Sequence, residues 1–486
     1  MTKTTQTDGP SIVWFRNDLR LADNPALHAA TERGAPILCV FVLEHDNGLR
    51  ALGAASRWWL HHSLVALAAS LEGIGARLDV FAGKSGEIVP ALVKSVGAAA
   101  LYVNRRYGAA GAELDERIEG TVAADGCMVE ITNGRLLHEP WEIKTQAGGS
   151  YGVYSPYWRA ALAAGLPDHP LPTPRALKGA AYPSGGPKRV AIKDLDLLPT
   201  KPDWTGGLGE AWTPGEAGAQ ARLHDFLKDR LADYDKERNR LASKGTSRLS
   251  PHLRFGEISP RTIVAALRAK ETKATAEGAK RFLSEIGWRE FDYHNLHYHP
   301  DIAETNLHGN FDRMPWVSLP KRDLERWQRG QTGFPVVDAG MRELWTTGYM
   351  HNRVRMITAS FLIKDLMCDW RVGEKWFWDC LCDADPANNT MNWQWVAGCG
   401  ADASPFFRIF NPVTQGDKFD PEGEYVRRWV PELATLKGKA IHAPWTLGKD
   451  VLEEAGIVLG RTYPEPMIDH KIARERALKA YEKVKR

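Results

Sequence analysis

Through the first 135 residues, short apolar runs alternate with amphipathic stretches. Residues 11–15 (SIVWF), 36–43 (PILCVFVL), 77–81 (RLDVF), 99–103 (AALYV) and 128–131 (MVEI) are rich in β-branched and aromatic side chains and read as strands. Between them, residues 24–33, 56–73, 85–96 and 109–124 carry apolar positions at helical spacing. Strands separated by helices of this length predict a parallel sheet covered on both faces, because each parallel connection needs a crossover long enough to hold a helix. Such sheets bind ligands beyond the carboxyl ends of their strands. No G-x-G-x-x-G follows a strand. Gly83-Lys84-Ser85 looks like the end of a phosphate loop, but Leu78 stands where its first glycine belongs.

From 139 to 215 the chain becomes dense in Pro and Gly (LPDHPLPTPRALKGAAYPSGGPKR) and loses sustained periodicity, which predicts a long connecting segment. Beyond it the pattern is helical nearly to the end, with helices expected over 218–231, 260–269, 275–298, 319–328, 336–347, 352–369, 374–382 and 468–485. No fixed-period repeat is present, which argues against a solenoid. The expectation is an α/β protein: a Rossmann-like parallel-sheet domain over 10–138, a linker over 139–215 and an all-α domain over 216–486.

Composition narrows the class. The 486 residues are 43% hydrophobic and 25% charged, as in globular proteins, and no apolar run reaches the ~18–20 residues of a membrane helix. The first ten residues lack a signal-peptide core or an Arg-rich transit pattern, so a cytoplasmic location is expected. Six irregularly spaced cysteines suit free thiols in a reducing compartment. With 63 Lys+Arg against 60 Asp+Glu, net charge (+3) does not imply nucleic acid, so any such case rests on where the charges sit. The 18 Trp outnumber both the 15 Phe and the 13 Tyr. They suit either an indole-rich helical core or surfaces that stack on planar ligands and carry electrons.

Four constellations could carry chemistry. Thr246-Ser247-Arg248-Leu249-Ser250-Pro251 sets three hydroxyls and a guanidinium before a proline at a first helical position, an anion cradle in which Ser250 also fits an N-cap. Twelve residues upstream of Thr246, Tyr234 lies within a charged run that ends at Arg238. Glu285, Trp288 and Arg289 share one helix face, which reads either as a functional surface or as an ion pair beside a core indole. In His351-Asn352-Arg353-Val354-Arg355-Met356, Asn352 and Met356 project together while Arg353 and Arg355 face elsewhere. Asp383-Ala384-Asp385-Pro386-Ala387-Asn388-Asn389-Thr390-Met391-Asn392-Trp393-Gln394-Trp395 sets acids and amides between aromatic anchors, suited to a heterocycle with donors and acceptors on its edge. Metal sites are not expected. Only two of His294, His297 and His299 share a helix face, and Cys368, Cys380, Cys382 and Cys399 contain no C-x-x-C.

Taken in order, Val13-Trp14-Phe15-Arg16-Asn17-Asp18-Leu19-Arg20, these segments, Phe407-Arg408-Ile409-Phe410-Asn411-Pro412 and Asp469-His470 resemble the photolyase/cryptochrome family over nearly the whole chain. The resemblance implies an N-terminal antenna domain and a helical domain that holds FAD in a U shape. It implies flavin contacts at Tyr234, Thr246, Ser247, Leu249, Ser250, Asn352, Arg355, Asp383, Asp385 and Asn389, with Arg355 and Asp383 paired beside the ring system. Trp393, Trp370 and Trp316 match the chain that re-reduces oxidised flavin from the surface.

Side chains that differ within the family favour cyclobutane pyrimidine dimer repair. These are the Asn352/Met356 pair where (6-4) photolyases place histidines, Asn389 where plant cryptochromes carry Asp, and Trp395 where single-strand-type cryptochromes carry Tyr. The implied reaction is light-driven electron transfer from reduced FAD to a flipped-out dimer in DNA, with ring splitting and return of the electron. Glu285 would bond a pyrimidine carbonyl edge, Asn352 and Met356 would line the pocket, and Trp288 and Trp395 would wall the two bases. Arg238, Arg289, Arg353 and Arg408 would hold phosphates around the cavity mouth. The antenna expected is 5,10-methenyltetrahydrofolate, with a deazaflavin or none as alternatives. A monomer is expected. A cryptochrome-type photoreceptor and a (6-4) photolyase are the alternative readings.

Overall fold

The computed structural model describes residues 8–403 and 407–485. The expected sheet is present: β1 (Ser11–Phe15), β2 (Ile37–Glu44), β3 (Leu78–Gly83), β4 (Ala100–Asn104) and β5 (Met128–Thr132), all parallel in the order β3-β2-β1-β4-β5. The crossovers are α1 (Pro25–Glu32), α2 (Ala54–Gly73), α3 (Ser85–Val96) and α4 (Ala109–Ala124). Central strands covered on both faces must be apolar throughout, and every residue of β1 and β4 is buried. Successive side chains still part company: Ile12, Trp14, Val40 and Val42 join Leu92, Leu114 and Ile118 of α3 and α4 in one core.

The segment after β1 is committed to internal bonds. Asp18 accepts from the Arg16 backbone N–H (2.6 Å) and the Asn104 amide (2.6 Å). The buried Arg20 guanidinium donates to the carbonyls of Ala22, Gly256, Asp23 and Gly134. Gly256 has φ +64°, and a Cβ there would lie 2.1 Å from the Asn17 carbonyl oxygen, so glycine is required at this crossing. The start of α3 is equally accounted for. Asp46 accepts from the Ser85 and Gly86 N–H groups (2.6 and 3.2 Å) and from the Ser85 hydroxyl (2.9 Å), so a carboxylate sits where a phosphate loop would seat its anion.

Helices follow to the end of the described chain. They are α5 (Tyr154–Ala164), α6 (Gly206–Ala211), α7 (Glu216–Asp229), α8 (Tyr234–Glu237), α9 (Ser250–Arg254), α10 (Pro260–Ala269) and α11 (Ala276–Tyr298). Beyond these come α12 (Lys321–Gln328), α13 (Pro335–Thr347), α14 (Asn352–Ser360), α15 (Trp370–Cys380) and α16 (Asn388–Ala397). The last are α17 (Pro412–Phe419), α18 (Glu424–Trp429), α19 (Lys449–Glu454) and α20 (His470–Glu482). Among the described residues, no helix is long and apolar enough to cross a membrane, and all six cysteines are buried and free.

The chain forms two compact units. The first runs to Tyr151 and adds Ser155–Ala232 and Ser247–Pro300; the second takes Gly152–Tyr154, Asp233–Thr246 and the described residues from Asp301 onward. The second has its own core, with Trp327, Trp370, Phe377 and Trp393 among its buried rings.

Two expected boundaries are corrected. A single helix over 352–369 is not formed: α14 passes into a π-helical turn, Phe361–Asp365, and Met367 takes φ +56°. The next helix begins at Trp370 rather than 374, because the Asp369 carboxylate accepts from the Arg371 N–H (2.9 Å) as its N-cap.

Candidate functional site

In the second unit, α8, α14, α16 and the segments before α9 and α16 carry seven of the expected flavin contacts, Tyr234, Thr246, Asn352, Arg355, Asp383, Asp385 and Asn389. His351 caps α14, its Nδ1 accepting from the Arg353 N–H (3.2 Å). Burial, reinforced by Arg353, pushes the His351 imidazole down to about 4, so it is neutral at pH 7 and free to accept. Asn352 is exposed on the first turn, and Met356 lies half-buried one turn later. Arg355 donates through both terminal nitrogens to Asp383 (3.0 and 2.8 Å) and through Nε to the Met350 carbonyl (2.8 Å). Burial works against the guanidinium charge, but the Asp383 carboxylate outweighs it and Arg355 is held above its ordinary value.

Asn389, buried on α16, donates from its amide to the Glu374 carboxylate (2.8 Å) and carbonyl (3.1 Å) on α15. With the nitrogen occupied, its carbonyl oxygen is the atom left to accept. Glu374 was not among the residues expected from sequence; its signal was its place one helical turn past Trp370. Asp385 accepts from the Ala387 and Asn388 N–H groups (3.0 Å each) and from the Asn388 amide (2.8 Å), which shapes the turn into α16. Tyr234 is buried beneath the Arg238 guanidinium (5.6 Å to the ring centroid), and Thr246 is half-buried.

The three indoles grade from inside to outside. Trp393 and Trp370 are buried and Trp316 is partly exposed. Trp393 meets Phe377 edge-on (4.9 Å) and Trp327 edge-on (6.4 Å), and Trp370 donates from Nε1 to Asn306 (2.9 Å). Trp395 is half-buried, its Nε1 donating to the Asp402 carbonyl (3.0 Å).

A groove of about 410 Å³ in the same unit is lined by Arg353, Arg408, Asn411, Thr414, Lys418 and Phe419 among others. Arg408 is exposed, and Arg353 donates to Asn239 (2.8 Å) while resting on the Phe419 ring (4.6 Å). Lys418, a third cation, was not anticipated from sequence; it stands at the end of α17, a helix the sequence reading did not identify.

In the first unit, the Ser247 hydroxyl accepts from the Leu249 N–H (3.4 Å), Arg248 takes φ +53° and its guanidinium lies over Trp212 (4.4 Å). Ser250 is not the N-cap. It is the first residue of α9 and is exposed, Leu249 holds the cap position, and no side chain caps the helix. On α11, Glu285 lies 3.6 Å from Arg281, and Trp288 meets Phe291 edge-on (5.9 Å).

Arg289 is buried, donating to the Arg135 carbonyl (2.8 Å) beside Glu290 (3.4 Å) and over Tyr293 (5.0 Å). These contacts use Nη1, so the phosphate role expected for Arg289 would fall to its remaining nitrogens. His294 likewise uses both ring nitrogens, on the Tyr151 N–H (2.9 Å) and the Pro140 carbonyl (2.9 Å).

Comparison with known proteins places the whole chain. Residues 11–175 match the DNA photolyase family and residues 282–483 match the FAD binding domain of DNA photolyase. The chain is 50% identical to the deoxyribodipyrimidine photo-lyase of Agrobacterium fabrum, across 98% of each chain. It is 38% identical to cryptochrome-1 of Arabidopsis thaliana, over 95% of this chain and 68% of that one. A crystal structure of a bacterial class III photolyase from Agrobacterium tumefaciens superposes with a TM-score of 0.94 at 49% identity, covering 100% of this chain and 99% of that one. The chain belongs to the photolyase/cryptochrome family.

Proposed function

We propose that the protein repairs cyclobutane pyrimidine dimers in DNA by light-driven electron transfer. The observation that carries this reading is the pairing of an uncharged amide acceptor, Asn389 fixed by Glu374, with the carboxylate-held guanidinium of Arg355. A planar heterocycle with both acceptor and donor atoms on its edge suits that set, as FAD does. FAD, when bound in its reduced form, absorbs blue or near-UV light and supplies the electron.

The chain's own residues do the rest. Asn389 would offer the cofactor an acceptor that cannot ionise, and Arg355 would offer positive charge to a reduced, anionic ring system. Tyr234, Thr246, Ser247, Leu249, Ser250, Asp383 and Asp385 would complete the flavin's contacts. Glu285, Asn352 and Met356 would meet the dimer's polar edge and side, and Trp288 and Trp395 its faces, where stacking is worth ~1–3 kcal/mol per base. Arg353, Arg408 and Lys418 would hold the phosphates through the groove, with Arg238 behind them. An antenna chromophore, 5,10-methenyltetrahydrofolate, would add a separable near-UV absorption band.

Trp393→Phe tests the electron path. Chemically reduced variant is expected to split dimers under light at the parent rate, while oxidised variant photoreduces at least tenfold more slowly. Equal photoreduction in variant and parent would refute the role of Trp393; loss of repair by pre-reduced variant would refute the separation of the two processes. The identity to a plant cryptochrome favours a second reading, a photoreceptor, which the same preparation would reveal by photoreducing without repairing any lesion.

A further inference from the structure

The proposed DNA contact of Arg408 needs its backbone held, and α14 supplies the grip. The π-helical turn Phe361–Asp365 continues that helix, and such widened turns recur at functional sites. Ser360 and Lys364, one turn apart, take alternate residues of the segment after Phe407. The Phe410 N–H donates to the Ser360 hydroxyl (3.2 Å), and the Lys364 ammonium donates to the Arg408 carbonyl (3.2 Å). Lys364 is 1% exposed, with Nζ 3.5 Å from the centroid of the Phe407 ring, and that ring stacks on Tyr481 (4.5 Å, 5°).

Among the described residues no carboxylate lies within ion-pair distance of Nζ; Asp365 is paired with His470 instead (2.5 Å). Burial pushes Lys364 down to about 7, against weaker support from Cys399 and Asp365. A lysine buried without a counter-ion costs folding free energy that an apolar residue of the same length would not.

We propose that Lys364 is a positioning residue for DNA binding: through the Arg408 carbonyl it fixes the backbone after Phe407 and thereby aims the Arg408 guanidinium into the groove. The proposal rests on reading that groove as the phosphate-binding surface. Because the same helix carries Asn352, Arg353 and Met356 at its other end, the grip ties the phosphate contact to the pocket that would receive the flipped bases.

The test is a double-mutant cycle on the flavin-loaded protein, binding a dimer-containing duplex across a salt series. Arg408→Ala is expected to weaken binding and lower the log–log salt slope by about one. Lys364→Met is expected to give a large part of the same loss and the same fall in slope, and to add nothing in the Arg408→Ala background. An Arg408→Ala variant that binds like the parent overturns the groove reading and the proposal with it. An Arg408→Ala loss to which Lys364→Met adds in full overturns the proposal alone. Should Lys364→Met lower flavin content, Ser360→Ala releases the other end of the grip without touching a charge. Non-additivity of Ser360→Ala with Arg408→Ala is then the supporting result, and full additivity the overturning one.

Discussion

Asn389 owes its orientation to a carboxylate fifteen positions earlier, and side chains of this kind separate what the sequence disclosed from what it hid. Arg355 and Asp383 are expected to pair and do so, both terminal nitrogens of the arginine reaching the carboxylate. Glu374 escaped notice because a lone acid in an amphipathic helix looks like a solvated one until its helix is given a starting point. Arg289 shows the converse: its spacing fits both a functional face and an ion pair, and only the structure sets it beside Glu290.

Glu290 itself yields a prediction. Burial pushes its carboxyl up to about 7, while it accepts from the Leu137 and His138 N–H groups. An acid with a raised folded-state value holds its proton between its ordinary value and about 7, where the unfolded chain has released it. Stability therefore falls as pH rises through that window. Glu290→Gln keeps an acceptor oxygen and removes the titration. Relative to the parent, the variant is expected to gain roughly 1–3 kcal/mol between pH 5 and pH 8, read from denaturant unfolding at both values. An unchanged difference would contradict the assignment.

The helices show how spacing alone can locate an element and misplace its ends. Residues 260–269 and 85–96 were legible to the residue, since Ser259-Pro260 opens one and Gly97 in the left-handed conformation closes the other. Residues 352–369 were not, because Asp369 reads as the tail of one helix when it is the cap of the next. The strands were legible throughout, being short apolar runs that no helix could bury on one face.

The α15–α16 contact makes its own prediction. A Cβ on Gly373 would lie 2.2 Å from the Trp393 ring, so the two helices pack at a distance set by hydrogen. Gly373→Ala is expected to cost about 1–3 kcal/mol despite alanine's better helix propensity, with altered Trp393 fluorescence. A variant as stable as the parent would show that this contact is loose.

Across the full chain, a net charge of +3 on 486 residues does not imply nucleic acid, yet Arg353, Arg408 and Lys418 converge on one groove, the proposed phosphate contact. Local convergence is what binds phosphates, and net charge averages it away. The motif that carries much of the family resemblance, residues 13–20, holds its own unit together through Asp18 and Arg20.

Reduced flavin in this protein is proposed to split cyclobutane dimers. The most direct measurement is illumination of chemically reduced protein with oligonucleotides carrying one thymine cyclobutane dimer, one (6-4) product or no lesion, with restored thymine read by chromatography and a dark control. Restored thymine is expected from the cyclobutane dimer under blue or near-UV light, none in the dark and none from the (6-4) product. Restoration from the (6-4) product alone, or from neither lesion in protein shown to hold reduced flavin, would contradict it.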